Sequence, residues 1–294
     1  MHAQVGTLDP MSLTIGTAPF GPNAAGEWNL DYDGPAHALY LHPHPRRVRA
    51  EFAGETVLDT LRPHLLHETG HLPRYYVPTE DVRWELLEPT DHSTHCPFKG
   101  DARYWTLRVG DRVAENVVWN YPEPIEGAPE LASVVSFYWQ PFDHWYEEDE
   151  EVFVHPRDPF HRVDVLPTSR HVRVSLNGVE LADTGRAQVL YETGLPPRWY
   201  IPPEDVRLDA LEPCNGIRTQ CPYKGLTNGY WSAGDEEAVA WSYAEPLPAV
   251  GAIAGHMAFF NERVDIEVDG VKQDRGPNTQ WSTTNWIGRA RVPA

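Results

Sequence analysis

Hydrophobic and polar residues alternate in short runs along most of the chain. In "HVRVSLNGVELADT" (171–184), Val172, Val174 and Leu176 fall on one face and polar side chains on the other, the period-two pattern of a half-buried strand. Asn177-Gly178 interrupts that pattern as a two-residue hairpin turn would, and Ala53-Gly54 does the same in an earlier stretch. "RYYVP" (74–78) and "RWYIP" (198–202) read as short aromatic strands ended by proline. "RYWTLRV" (103–109), "AENVVWNY" (114–121) and "SVVSFYW" (133–139) read as further strands. Leu65 to Thr69, followed by Gly70 as a C-cap, is assigned to a helix. "PTEDVRWELL" (78–87) and "PPEDVRLDAL" (202–211) each suggest one helical turn opened by proline and two acids. The pattern predicts a mainly β chain, as strongly bent sheets or small sandwiches with few short helices.

The runs come in two sets. "ETGHLPRYYVPTEDVRWELLEP" (68–89) returns as "ETGLPPRWYIPPEDVRLDALEP" (192–213), an offset of 124 residues. Between 47–89 and 171–213, 21 of 43 positions are identical. The offset becomes 125 at "THCPFKG" against "TQCPYKG", and 122 at "WNYPEP" against "WSYAEP" and at Phe137 against Phe259. Small insertions in turns explain such drifts. The expected organisation is an N-terminal arm (1–45), a first repeat (46–146), an acidic, proline-containing linker (147–169), a second repeat (170–270) and a tail (271–294) in which Trp281 and Trp286 suggest docking. Two fused copies are the covalent counterpart of an isologous dimer. The repeats are therefore expected to pack as an intramolecular pseudo-dimer in a monomeric chain.

Composition narrows the function classes. The net charge is −19, which argues against nucleic acid as a partner, because that needs a basic footprint. No run approaches the roughly 20 apolar residues of a membrane span, and residues 1–20 lack a basic start with an apolar run, so neither a membrane partner nor a secretory signal is expected. Three cysteines exclude a disulfide scaffold and point to the cytoplasm. The 28 prolines leave little room for long helices.

The most specific chemical signal is Thr-x-Cys-Pro-aromatic-Lys-Gly, present twice, with Cys96 and Lys99 and with Cys221 and Lys224. A nearby ammonium favours the thiolate, the form that acts as a nucleophile, which makes Cys96 and Cys221 the candidate catalytic residues. The other reading is a buried structural cysteine, a turn proline and a lysine paired to an acid. The two readings separate on substitution: an exposed lysine in a working site contributes little stability, whereas a scaffold lysine is costly to lose. A second constellation, Glu68, Arg74 and Tyr76, repeats as Glu192, Arg198 and Tyr200. Arginine offers a planar fork for an anion; alternatively an Arg–Glu pair fixes a loop. Trp119 and Tyr121, repeated as Trp241 and Tyr243, alternate along a strand and so share a face, as core or as the wall of a pocket. Histidines cluster at His37, His42 and His44, at His64, His67 and His71, and at His92 and His95 beside Cys96. Copy two lacks a histidine opposite His64, His67, His71, His92 and His95, and no Cys-x-x-Cys pair occurs, so neither a metal nor another cofactor is expected of the shared unit. No phosphate loop, nucleophile elbow or His-Glu-x-x-His motif is present.

The ordered string Glu-Thr-Gly, Pro-Arg-aromatic-Tyr-x-Pro, Glu-Asp-Val, Leu-Glu-Pro, Thr-x-Cys-Pro-aromatic-Lys-Gly, Tyr-Trp, Trp-x-Tyr and Glu-Pro resembles the bacterial family known as domain of unknown function 427. The resemblance covers 46–146 and 170–270, which makes the chain a tandem-duplicated member. It implies two small β-tent-like domains, the architecture of B-type methionine sulfoxide reductases and of the ligand-binding domain of cereblon. It implies no established activity. The family's nucleotidyltransferase-like label finds no acidic metal-binding pair or phosphate loop in this chain. "SVVSFYW" in copy one departs from the family's usual Ala-Gly-aromatic-x-Ala-Phe, and Ala244 in copy two stands where proline is usual. Three functions are open at this point. The first is binding of a small anionic or nucleotide-like molecule in a cleft of each repeat, formed by Arg74, Tyr76, Lys99, Trp119 and Tyr121 and by Arg198, Tyr200, Lys224, Trp241 and Tyr243. The second is catalysis by Cys96 and Cys221 as nucleophilic or redox thiols. The third is a structural or interaction module with no ligand.

Overall fold

A computed structural model describes residues 37–276 together with residues 26, 27, 29 and 282. The readings of an arm before residue 37 and of docking by Trp281 and Trp286 lie outside the described residues. The chain divides into two compact units, one of residues 31–158 and one that begins at Pro159.

The first unit contains β1 (Leu39–Pro43), β2 (Val48–Phe52), β3 (Glu55–Thr60), β4 (His64–Glu68), β5 (Arg74–Pro78), β6 (Leu87–Cys96), β7 (Gly100–Val109), β8 (Arg112–Asn120), β9 (Val134–Phe137), β10 (His144–Glu147) and β11 (Glu150–Glu151). They form a seven-stranded sheet in the order β1-β4-β5-β9-β8-β7-β6 and a four-stranded sheet in the order β11-β10-β2-β3. The second unit contains β12 (Val163–Pro167), β13 (Val172–Leu176), β14 (Val179–Thr184), β15 (Gln188–Glu192), β16 (Arg198–Ile201), β17 (Glu212–Pro213), β18 (Gln220–Cys221), β19 (Gly225–Leu226), β20 (Gly229–Ala233), β21 (Glu236–Ser242), β22 (Met257–Phe259), β23 (Asp265–Val268) and β24 (Val271–Lys272). Its sheets run β12-β15-β16-β22-β21-β20-β17 and β14-β13-β23-β24, with β18 paired to β19. The two units share strand order throughout. The long hairpin β6–β7 of the first is broken into β17, β18, β19 and β20 in the second. Gly216, at φ +74°, lies in that interruption, where the sequence offset also drifts.

Strand alternation sorts side chains onto two faces of each large sheet. Leu65, Tyr75, Val77, Val118 and Val135 pack with Val48, Ala50, Phe52, Val57 and Leu58 of the small sheet. Their neighbours Leu66, Tyr76, Trp119 and Val134 form a second core on the opposite face, with Ala102, Tyr104, Tyr121 and Leu131. The second unit repeats this, with Val189, Trp199 and Ala240 on one face and Leu190, Tyr200 and Trp241 on the other. The hairpin turns carry the expected left-handed backbone, at Ala53-Gly54 (φ 51° and 78°) and Asn177-Gly178 (φ 50° and 84°).

Three expectations change. Leu65 to Thr69 is not helical: Leu65 to Glu68 belong to β4, held between β1 and β5, and Thr69 opens the turn that follows. A five-residue helix meets the cost of nucleation with almost no propagation, whereas the strand puts Leu65 and Leu66 into two cores. The proline-initiated segments each form two 3-10 turns, Thr79–Asp81 after Pro78 and then Trp84–Leu86, and Pro203–Asp205 after Pro202 and then Leu208–Ala210. The sheets also reach past the boundaries drawn from sequence. β1 lies in the stretch assigned to the arm and pairs with β4; β12 lies in the stretch assigned to the linker and pairs with β15. Glu147, first of the acidic run, ends β10 and is buried. Among the described residues no helix is long and apolar enough to cross a membrane.

Candidate functional site

The Cys-Pro-aromatic-Lys-Gly segment is the tip of a hairpin. Cys96 pairs with Gly100 across β6 and β7, and Cys221 with Gly225 across β18 and β19. The Lys99 N–H donates to the Cys96 carbonyl at 3.2 Å. Gly100 sits at φ +105°, and a Cβ there would lie 3.1 Å from the Glu123 carbonyl oxygen. The motif's glycine therefore answers a left-handed conformation and a close backbone approach. The turn folds the lysine back over the sheet, where Lys99 pairs with Glu68 and Lys224 with Glu192, the latter at 2.6 Å. All four side chains are buried or nearly so, between 5% and 12% exposed.

A histidine completes each pair. His37 Nε2 lies 3.3 Å from Glu68 Oε1, and His161 Nε2 lies 3.0 Å from Glu192 Oε1. The aromatic residue of the motif covers the ring: Phe98 stacks on His37 at 3.6 Å between centroids, and Tyr223 lies over His161 at 4.4 Å. Each histidine is placed by the strand beside it. Ala38 and Thr69 exchange hydrogen bonds of 2.9 and 3.1 Å, as Arg162 and Thr193 do at 2.8 and 3.0 Å. Sequence reasoning missed the equivalence of His37 and His161. The signal was present, because they stand 124 residues apart, preceded at the same spacing by Pro35 and Pro159.

The charges in this cluster hold one another. Burial acts to raise the Glu192 pKa, but Lys224 and His161 outweigh it and bring it down to about 2. Burial acts to lower Lys224, and its neighbours Cys221, Glu192 and Tyr200 carry it above the ordinary lysine value. Burial pushes the Cys221 thiol up, with Lys224 opposing only in part. The ion pair is thus kept formed, and the thiol is kept protonated.

The tyrosines and tryptophans expected to line a cleft lie on this same face and are packed. Tyr76, Lys99, Trp119 and Tyr121 are each at most 6% exposed. Tyr200, Trp241 and Tyr243 are likewise buried, and Trp241 Nε1 donates to the Tyr200 hydroxyl at 3.2 Å. Burial raises Tyr200 to about 12. The sequence-selected groups Tyr76, Lys99, Trp119, Tyr121 and Cys96 are therefore brought together, as are their counterparts, in the form of a filled polar core.

The two arginines part company. The Glu68–Arg74 pairing open from sequence is not formed, since Glu68 is engaged by Lys99 and His37. Arg198 is buried and makes a bidentate pair with Glu262 at 2.6 and 2.7 Å, with Asn261 at 3.1 Å. The 122-residue offset aligns Glu262 with Gln140, and the stretch 138–142 holds no acid at all. Arg74 keeps the aromatic setting of Arg198, 5.4 Å from the Trp119 ring and 5.7 Å from that of Tyr138, yet no carboxylate or other hydrogen-bonding group among the described residues engages it. A cavity of about 60 Å³ has Arg74 and Gln140 in its lining together with Tyr75, Phe137, Trp139 and Trp145, the last four from the core on the other face of the sheet.

Two further clusters are peculiar to the first unit. His42 and His67 approach to 3.1 Å between Nε2 atoms. Glu147 accepts from Tyr75 at 2.6 Å, lies 3.2 Å from His44 Nε2 and pairs with Arg46. Among the described residues no group of three or more His, Cys, Asp and Glu side chains has the arrangement to hold a metal ion.

A two-sheet β unit carrying a buried His–Glu–Lys cluster under a Cys-Pro-aromatic-Lys-Gly turn, present twice, defines the class of protein. The chain belongs to the family described as domain of unknown function DUF427, which matches residues 40–148 and 164–270. No curated protein matches the chain.

Proposed function

We propose that this protein binds a small anionic molecule, and that the working site is in the first repeat at Arg74. One observation carries the reading: Arg74 is a half-buried guanidinium flanked by two aromatic rings, and no acid among the described residues pairs with it. A cation held in that setting is attracted to an anion more strongly than one in open water. The His–Glu–Lys clusters belong to the scaffold in this reading, because their charges are mutually satisfied. The protonated Cys221 supports binding rather than thiol catalysis. A cytoplasmic setting fits the three cysteines, all of them free.

The test is a thermal-shift titration of wild type and Arg74→Ala with acetate, propionate, benzoate, sulfate and inorganic phosphate at constant ionic strength. A ligand that binds only the folded state raises the midpoint. At least one anion is expected to raise the wild-type midpoint and to leave that of Arg74→Ala unmoved. The substitution itself should cost only about 1 kcal/mol, the worth of its contacts with the rings. An equal shift in both proteins would rule out Arg74 as the anchor.

A further inference from the structure

The two repeats place one arginine cradle in two states, and the second shows what the cradle accepts. Arg198 and Arg74 stand at equivalent positions of β16 and β5, each beside the equivalent tryptophan (Trp241 or Trp119) and the equivalent ring after the neighbouring strand (Phe260 or Tyr138). In the second repeat a planar carboxylate, that of Glu262, fills the fork with two parallel hydrogen bonds of 2.6 and 2.7 Å. Its side chain is fully buried. In the first repeat that group is replaced by the uncharged and exposed Gln140.

Resting on the anion-binding reading above, we infer that the ligand of the first repeat is a small carboxylate, for which Glu262 is the built-in counterpart in the second, so that Arg198 is permanently latched and only Arg74 is open. The fork geometry in Arg198–Glu262 gives the ligand its shape: it is that of a flat two-oxygen acceptor, which a carboxylate matches. The position aligned with Glu262 then decides which repeat is open: an acid there closes the cradle, and an amide leaves it free.

The experiment is calorimetric titration of the full chain with propionate, benzoate and inorganic phosphate, on wild type, Arg74→Ala, Gln140→Glu, Gln140→Ala and Glu262→Gln. Wild type is expected to bind propionate and benzoate at one site, each at least tenfold more tightly than inorganic phosphate. Gln140→Glu should weaken propionate at least tenfold, as Arg74→Ala does, while Gln140→Ala stays within about threefold of wild type. Residue 140 is exposed, so these variants fold. Glu262→Gln should add a second, weaker propionate site. Retained affinity in Gln140→Glu alongside loss in Arg74→Ala would overturn the latch and leave the Arg74 site standing. Phosphate binding as tight as propionate would overturn the ligand class. Failure of every probe to bind wild type would overturn the anion-binding reading together with this inference.

Discussion

Replacing Lys224 by alanine is expected to destabilise the second repeat by about 3–5 kcal/mol, because it removes the partner of a buried carboxylate. Glu192 is only 5% exposed and Lys224 only 12%. Without the ammonium, Glu192 keeps His161 at 3.0 Å but loses the full positive charge that balances it. At roughly 4 °C per kcal/mol the melting temperature should fall by about 12–20 °C. The outcome differs from that expected of an exposed ligand-binding lysine, whose removal leaves stability nearly unchanged. The companion variant is Lys224→Met with Glu192→Gln, which removes both charges. It should recover most of the loss, since desolvation of an unpaired ion is the dominant cost. Calorimetric scans of the three proteins check this, and a drop of less than about 2 °C in Lys224→Ala would show that the pair is not a structural element.

Acid should unfold the protein through two carboxylates. Burial acts to raise the Glu147 pKa, but His44, Tyr75 and Arg46 outweigh it and hold it at about 2, against an ordinary value of 4.5. Glu192 is held at about 2 by Lys224 and His161, again against burial and an ordinary 4.5. For a group depressed in the folded state, the unfolded chain binds the proton first as pH falls. The stabilisation is therefore fully present above about pH 4.5 and is lost as pH falls towards 2. Each group contributes about 3 kcal/mol by this linkage. Urea midpoints measured by circular dichroism should be level from pH 7 to 5 and then decline steeply. Glu147→Gln should flatten the decline of the first repeat, and Glu192→Gln that of the second. Midpoints that hold constant down to pH 2.5 would contradict both assignments.

Much of the fold was legible because the chain states it twice. Alternation around Asn177-Gly178, and the aromatic and β-branched residues of 74–78, 103–109 and 114–121, are strong enough to identify strands from one copy, and the repeat fixes which of them matter. β4 was misread because "HLLHETG" carries two adjacent leucines and a C-cap glycine, and only tertiary pairing distinguishes a doubly buried strand from a short helix. β1 and β12 were missed because "LYLHP" and "VDVLP" share little beyond a final proline and an apolar pattern. Those strands bring His37 and His161 to the carboxylates, so missing the strand meant missing the histidine.

The site was legible as a set of residue types but not as a set of partners. Recurrence groups Cys, Lys, Tyr and Trp, yet it cannot distinguish a cleft from a filled core. The lysine's acid lies 31 residues away in the first repeat and 32 in the second, which no local pattern specifies. The most informative position was one at which the copies differ. Gln140 against Glu262 carries no motif, and its meaning depends on Arg198 reaching it across 64 residues. Looking for what two copies share favours the scaffold; where they diverge on an otherwise shared frame, the difference points to function.

The most direct measurement is a crystal structure of the full chain grown with propionate. The expected result is a carboxylate engaged by both terminal nitrogens of Arg74 beside the Trp119 and Tyr138 rings, with Arg198 still paired to Glu262 and no ligand beside it. A carboxylate displacing Glu262 at Arg198, or one lodged against Lys99 or Lys224 while Arg74 stays bare, would contradict the assignment.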